Sequence, residues 1–221
     1  MQTISGKIQK AKKIVMYGVE GVGKTVFGSN FPKPFFIDTE ESTLELDVHR
    51  ILPICWAQVT MTVDEFIQDK QGFETLIIDT ADWTEQLAKQ KICDEMQLNN
   101  IEDLGYGKGY VYLAKEIQGL LNKLTILNNK GMHIVILAHA MIKKFEQPDE
   151  AGAYDRYEMK LEKKTSPLYR EWANMVLFGN HKTYVVEDNN KKKRAQDAGR
   201  VLTLLIRHPG MLRTEKAFLL N

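Results

Sequence analysis

The stretch Gly18-Val-Glu-Gly-Val-Gly-Lys-Thr25 determines the fold that we expect for this chain. It matches the pattern G-x-x-x-x-G-K-[ST] in full. The apolar run Lys13–Tyr17 predicts a buried strand before it, and Lys24–Asn30 predicts a helix after it. Glycines let the backbone wrap tightly so that successive N–H groups point at phosphate oxygens, and the helix N-terminus adds a partial positive charge. The sequence therefore predicts a phosphate-binding P-loop.

We expect ATP and Mg²⁺ to bind at this loop. The Lys24 ammonium would interact with the β- and γ-phosphates, and the Thr25 hydroxyl would be a ligand of the metal. The predicted nucleotide contacts are Gly18, Val19, Glu20, Gly21, Val22, Gly23, Lys24, Thr25 and Val26.

Carboxylates follow two further predicted strands. Leu76-Ile-Ile-Asp79 places Asp79 at the carboxyl end of a buried strand, where open α/β sheets bind ligands, and this favours Asp79 as the second protein group of the metal shell. In Phe36-Ile-Asp-Thr-Glu-Glu41, Asp38 is typical of a turn, and either Glu40 or Glu41 can accept a proton from water. A solvated acidic loop is the alternative for the second stretch.

Apolar strands alternate with helices along most of the chain, which predicts an α/β fold with a mostly parallel sheet covered by helices on both faces. The later strands follow one another without helices and should pair in antiparallel fashion. The predicted strands are Lys13–Tyr17, Phe35–Asp38, a segment near Ile54–Trp56, Thr75–Asp79, His133–His139, Met175–Phe178, Thr183–Glu187 and Arg200–Arg207. The predicted helices are Lys24–Asn30, Val63–Lys70 with Thr62 as its N-cap, Asp82–Gln97, Tyr110–Asn129 and Leu168–Ala173.

Length and composition predict one globular domain over residues 1–221. We expect residues 1–12 to form an N-terminal extension and 145–166 to form a mobile loop, because the second segment is polar and lacks a sustained period. Apolar runs are too short for a membrane span, and the N-terminus lacks the apolar segment of a secretory signal. With two cysteines, Cys55 and Cys93, we expect reduced thiols and a cytoplasmic location.

The formal net charge of +1 conceals a polarised distribution. Residues 1–110 carry 11 basic and 17 acidic side chains, whereas 111–221 carry 19 basic and 12 acidic ones. A near-zero total on its own would argue against a nucleic-acid partner, but the basic second half removes that argument. Part of it, Lys191-Lys-Lys-Arg194, lies on a predicted hairpin turn, where a charge run is either a solvated tip or a phosphate contact.

The order of these motifs resembles the RecA-like ATPase core. The P-loop, Phe36-Ile-Asp-Thr-Glu40, Leu76-Ile-Ile-Asp-Thr80 and Ile136-Leu-Ala-His139 follow one another in the expected order and spacing. More closely, the chain is similar to the compact phage-encoded RecA-like ATP-binding proteins of single-strand annealing and recombination. The resemblance covers roughly residues 10–221.

The resemblance implies roles for particular residues. Glu40 would be the catalytic base, with Glu41 as the adjacent alternative. His139 would take the place of the γ-phosphate sensor, which is usually Gln in the recombinases; a structural histidine is the alternative. Near the C-terminus, Arg213 or Lys216 would reach the nucleotide of a neighbouring subunit, although Phe218 interrupts the family's Lys-x-Arg pair.

Two segments, 99–110 and 145–166, correspond to the loops that bind single-stranded DNA in the recombinases. Aromatic and basic side chains suit base stacking and phosphate contact, but two ordinary mobile loops are the alternative, because the second segment also carries six acidic residues. The candidate DNA contacts are Tyr106, Lys108, Tyr110, Arg156, Tyr157, Lys160, Lys163 and Lys164.

The expected function is ATP hydrolysis in phage DNA recombination or single-strand annealing. The expected partners are single-stranded DNA, further copies of the chain in a ring or filament, and a single-strand-binding protein. Two alternatives remain open: a P-loop NTPase that acts on proteins or small molecules, and an ATP-gated assembly module with little turnover.

Overall fold

The computed structural model describes residues 10–146, 153–187, 193–205 and 216–220, and the side chains within 10–145 and 154–181. Within these ranges, helices lie between most of the strands as far as β5, and β2 is followed directly by β3. The strands are β1 Lys13–Gly18, β2 Pro34–Asp38, β3 His49–Ile51, β4 Thr75–Asp79, β5 His133–Glu146, β6 Ala153–Met159, β7 Met175–Glu187, β8 Lys193–Leu205 and β9 Lys216–Leu220. The α-helices are α1 Lys24–Ser29, α2 Trp56–Gln68, α3 Ala81–Met96, α4 Lys108–Asn129 and α5 Ser166–Trp172, and Ile101–Leu104 form a 3₁₀ turn.

The strands form one sheet in the order β3-β2-β4-β5-β1-β7-β8-β9, and β6 pairs with the end of β5. The pairs from β3 to β7 are parallel, whereas β7–β8, β8–β9 and β5–β6 are antiparallel. The predicted mostly parallel α/β sheet with antiparallel C-terminal strands is therefore confirmed. In the parallel part, Gly18 is paired with His139, and Asp38 with Asp79, so these carboxyl ends meet at one edge of the sheet.

Both faces of the parallel strands are buried. On one face, Val15, Ile78 and Ile136 pack with residues of α2, α3, α4 and α5. On the other face, Met16 and Ile77 pack against side chains that include Phe27 of α1. This two-sided burial explains why the strands are continuous apolar runs without alternating polar positions. The apolar residues that recur at helical spacing in α4 form its buried inner face: Leu113, Ile117, Leu120, Leu121, Leu124 and Leu127.

The first half of α2 differs from the prediction. The helix begins at Trp56, where a strand was expected, and Thr62 lies inside it with its hydroxyl donating to Gln58 O at 2.8 Å. Threonine and valine have modest helix propensity, and this obscured the first residue of the helix in the sequence pattern. Burial of Trp56 and Val59 against the core, at the same helical spacing as Val63 and Phe66, outweighs that preference.

The predicted loop 145–166 is largely a hairpin arm. β5 continues to Glu146, and β6 pairs with it from Ala140–Met159 to Glu146–Ala153, while residues 147–152 lie outside the described residues. Phe145 and Tyr154 pack edge to face across the pair. The charged residues Asp155, Arg156 and Glu158 interrupt the apolar pattern of β6 and masked this strand in the sequence.

Two further differences concern the C-terminal strands. β7 is one strand with an irregularity between His181 and Thr183, where the sequence predicted two strands. β8 begins at Lys193, within the charge run predicted to lie on a hairpin turn, whereas the sequence predicted a strand from Arg200. Within the described part of the chain, no helix has the length and apolarity needed to cross a membrane.

Candidate functional site

The P-loop connects β1 to α1 in a conformation that depends on glycine. Gly23 has φ 90°, in the left-handed region that favours glycine. A Cβ on Gly18 would lie 2.6 Å from the backbone oxygen of Gly179 in the neighbouring strand β7. The sequence pattern thus reflects real backbone constraints at both ends of the loop.

Lys24 and Thr25 follow the loop and point to different partners. Lys24 is buried, and its Nζ donates to Val19 O at 3.3 Å. Burial lowers the pKa of Lys24, while nearby carboxylates, first that of Glu40, oppose the decrease. Thr25 Oγ1 donates to Asp79 Oδ2 at 2.7 Å, which joins the end of β4 to the P-loop.

The Thr25–Asp79 pair fits a magnesium site. Ser42 Oγ also donates to Asp79 Oδ2, at 2.9 Å. Asp79 Oδ1, in contrast, is buried and has no hydrogen-bond partner among the described residues. Mg²⁺ prefers hard oxygen ligands and uses one or two protein groups together with phosphate and water. Thr25 and Asp79 are therefore the residues that would hold the metal; Ser42 was not anticipated from the sequence.

Asp38 has a structural role. Its Oδ1 accepts hydrogen bonds from the backbone N–H groups of Glu40 (3.2 Å) and Ser42 (3.1 Å). Its Oδ2 accepts from Thr43 N and from Thr43 Oγ1 at 2.6 Å. This carboxylate folds the turn after β2, as the sequence suggested, and it thereby fixes the position of Glu40.

Glu40, His139 and Asp82 form a connected polar chain beside the P-loop. Glu40 Oε2 lies 3.8 Å from His139 Nε2. On the other side of the ring, His139 Nδ1 lies 2.9 Å from Asp82 Oδ2, and His139 N donates to Asp82 Oδ1 at 3.0 Å. Glu41, in contrast, is exposed and does not line the cleft. The structure therefore brings together Glu40 and His139, and it adds Asp82, which sequence reasoning missed.

The pKa directions follow from this arrangement. The hydrogen bond with Asp82 raises the pKa of His139. Burial by itself would raise the pKa of Asp82, but the hydrogen bonds from His139 hold it below its ordinary value. Asp82 is thus an anion that accepts a hydrogen bond from His139 Nδ1–H. Burial raises the pKa of Glu40, with His139 opposing, and so brings this carboxyl closer to the range of a general base.

Glu40 and His139 line a cleft of about 700 Å³ together with Lys24, Thr25 and Ser42. Trp83 and Lys160 also line it. The signal for Asp82 and Trp83 was present in the sequence, because both follow Asp79 within one helical turn at the start of α3. The sequence carried no comparable signal for Lys160, because the approach of this residue to the cleft depends on the β5–β6 hairpin.

The other candidate DNA residues lie in different environments. Tyr106, Lys108, Lys163 and Lys164 are exposed. Tyr110 Oη donates to Glu102 Oε1 at 2.7 Å. The Arg156 guanidinium stacks on Phe145 and pairs with Glu158, and the Tyr157 ring lies 5.1 Å from that of Phe178. Tyr110, Arg156 and Tyr157 are thus engaged within the chain.

The predicted trans-acting cations fall largely outside the described structure. Arg213 lies outside the described residues, and Lys216 is the first residue of β9. Their predicted contact with a neighbouring nucleotide stays a prediction.

Comparison with known proteins agrees with the site. Residues 10–206 match the family described as AAA domain. The chain is also 24% identical over 144 residues to the SPbeta prophage-derived uncharacterized protein YorG of Bacillus subtilis strain 168. That alignment covers 62% of this chain and 44% of YorG, so the chain spans less than half the length of this relative. With the P-loop, Thr25 and Asp79 in place and the family match extending over most of its length, the chain belongs to the AAA domain family of P-loop ATPases.

Proposed function

We propose that this protein is a RecA-like ATPase that acts in phage DNA recombination or single-strand annealing and binds single-stranded DNA as a nucleotide-dependent oligomer. The observation that carries the ATPase part is the cleft in which Glu40 and His139 lie with Lys24, Thr25 and Ser42, beside the buried Asp79. A nucleotide-binding module without turnover would not require a half-buried carboxylate of raised pKa beside the phosphate loop.

In the proposed reaction, a water molecule attacks the γ-phosphorus of ATP and its proton passes to Glu40, while the bond from the γ-phosphorus to the β–γ bridging oxygen breaks and leaves ADP and phosphate. Lys24 balances charge on the β- and γ-phosphates. Mg²⁺, when held by Thr25 and Asp79, supplies further neutralisation of the phosphate oxygens. His139, oriented by Asp82, keeps a ring nitrogen directed at Glu40.

Two observations support the DNA part. Tyr106 is fully exposed and flanked by Gly105 and Gly107, and the exposed Lys108 follows two positions later, so an aromatic ring and a cation are both accessible in this short segment. Lys163 and Lys164 are exposed after β6, on the segment that follows the hairpin. The oligomer is inferred from the resemblance to the RecA-like proteins. In this oligomer, Arg213 or Lys216 of one subunit would reach the nucleotide of the next subunit.

The ATPase part is tested by steady-state turnover in matched variants. Lys24→Ala should abolish ATP binding or turnover. Glu40→Gln should bind ATP and hydrolyse it slowly, whereas Glu41→Gln, the neighbouring exposed carboxylate, should retain wild-type turnover. Full activity in Lys24→Ala would contradict the P-loop assignment. Slow hydrolysis by Glu41→Gln together with normal hydrolysis by Glu40→Gln would identify Glu41 as the catalytic base.

The DNA part is tested by ATPase rates with and without single-stranded DNA across a salt series. We expect stimulation that declines as salt rises, because phosphate contacts release counterions. Tyr106→Ala should weaken DNA binding without changing the rate measured in the absence of DNA. No stimulation and no salt-dependent binding would refute this part and leave the ATPase assignment intact.

One observation favours a second candidate, a P-loop ATPase that acts on a protein partner. Three large apolar side chains around the start of α2 are exposed: Leu52 (43%), Ile54 (82%) and Met61 (59%). Leu52 and Met61, together with Ile51, border a shallow groove. A patch of this kind suits protein contact. ATPase activity without any response to DNA would favour this candidate.

A further inference from the structure

Lys160 is held at the mouth of the nucleotide cleft by the hairpin. Met159, the last residue of β6, is fully buried and is paired with Ala140 of β5. The next residue, Lys160, donates its backbone N–H to His139 O at 2.8 Å. The backbone of Lys160 is thus tied to the residue that faces Glu40, and its exposed side chain lines the cleft.

The cleft has little positive charge for a triphosphate ligand. Four carboxylates, Glu20, Glu40, Asp79 and Asp82, are near enough to Lys24 to influence its pKa. His139 is already engaged with Asp82. ATP adds several negative charges to this environment. In addition to Mg²⁺ at Thr25 and Asp79, a further cation near the terminal phosphate would stabilise the charge of the transferring phosphoryl group.

Lys160 is available for this role. Of the described residues that line the cleft, Lys24 and Lys160 are its lysines, and arginine is absent from that lining. The carboxylates nearest to Lys160 in sequence have other partners: Glu158 pairs with Arg156 and Arg170, and Glu162 with Lys89. Among the described residues no ion pair involves the Lys160 ammonium, so this flexible side chain can turn to a phosphate group.

We propose that Lys160 contacts the terminal phosphate of ATP bound in the same chain. This inference rests on the proposed ATPase function and deepens it. It assigns Lys160 to nucleotide binding, where the sequence suggested DNA contact, and it supplies a cation from within the subunit in addition to the one expected from a neighbour. It also connects the hairpin to the nucleotide, because β6 leads directly into the contacting residue.

The test compares the affinity of Lys160→Met for ADP and for the non-hydrolysable ATP analogue adenylyl imidodiphosphate, by isothermal titration calorimetry at constant Mg²⁺. A lost charge-assisted contact should weaken analogue binding by about tenfold. ADP affinity should change less than about twofold, since ADP lacks the phosphate that is contacted. Lys160→Arg should retain most of the analogue affinity. Lys115→Met, which changes an exposed lysine of α4 outside the cleft, is the matched control.

Several outcomes would overturn the inference. One is an unchanged affinity of Lys160→Met for the analogue. Another is an equal loss of affinity for ADP and for the analogue, and a third is weaker DNA binding with no change in analogue affinity. A wild-type protein that binds neither nucleotide would instead refute the proposed function itself. Circular dichroism of each variant shows whether the fold is retained, and Lys160→Gln, which also removes the charge, serves as the readout if the methionine variant is misfolded.

Discussion

Glu85 is a buried carboxyl group whose ionisation opposes folding. Its side chain lies in α3 with 2% of its surface exposed. Oε2 accepts a hydrogen bond from Glu162 N at 3.1 Å, whereas Oε1 is buried without a hydrogen-bond partner among the described residues. Burial raises the pKa of Glu85 to about 7, although hydrogen bonds from Thr165 and Glu162 act in the opposite direction. The folded protein therefore binds this proton more tightly than the unfolded chain does.

The sign of the pH effect follows from this difference in proton binding. The stabilisation from protonated Glu85 is fully present below the unfolded-state pKa of 4.5 and is lost as the pH rises to about 7. A difference of about 2.5 pH units between the two pKa values corresponds to about 3 kcal/mol of unfolding free energy. Of this, about 2 kcal/mol is lost between pH 5 and pH 8.

Glu85→Gln should remove this pH dependence, because glutamine retains an acceptor for Glu162 N but does not ionise. Urea denaturation of the variant and the wild type at several pH values measures the effect, and other titrating groups cancel in the difference. We expect the variant to gain about 2 kcal/mol relative to the wild type between pH 5 and pH 8. Glu65→Gln, at an exposed carboxylate of α2, is the control. A difference that stays constant over this range would refute the reasoning.

Two further predictions concern α4 and the polar chain of the cleft. Gly109→Ala should destabilise the fold by about 1–3 kcal/mol, because the added Cβ would lie 2.1 Å from Ile101 O. In the same helix, a Cβ added at Gly119 would have no atom within 4 Å, so Gly119→Ala should stabilise the fold by about 0.5–1 kcal/mol. Equal changes in unfolding free energy for the two variants in urea denaturation would contradict this pair of predictions. Asp82→Asn should lower the pKa of His139, because the hydrogen bond that raises it loses its charge. Titration of the imidazole by NMR measures this pKa, and a value equal to that of the wild type would disprove the contact.

The strong local patterns predicted most of the fold. The P-loop spacing, the apolar runs of β1, β2 and β4, and the amphipathic face of α4 each carry their information within a few consecutive residues. Asp79 was predicted for the same reason, since it ends an apolar strand in a fold whose ligands bind at strand ends. Segments with mixed signals were predicted less well, as at Trp56, where propensity and burial disagree, and in β6, where charged residues interrupt the alternation.

By itself, the sequence of this protein determined the phosphate-binding loop, the parallel sheet and the carboxylates at two of its strand ends. These features depend on residue type and on short spacing. Only the tertiary structure decided which groups meet around the cleft. Asp82 holds His139 from 57 positions away in the chain, and Ser42 joins Thr25 at Asp79. Lys160 reaches the same cleft because a hairpin pairs residues that local sequence signals do not connect. Hydrogen bonds and charges act through space, so contacts between distant positions become visible only when the chain is folded.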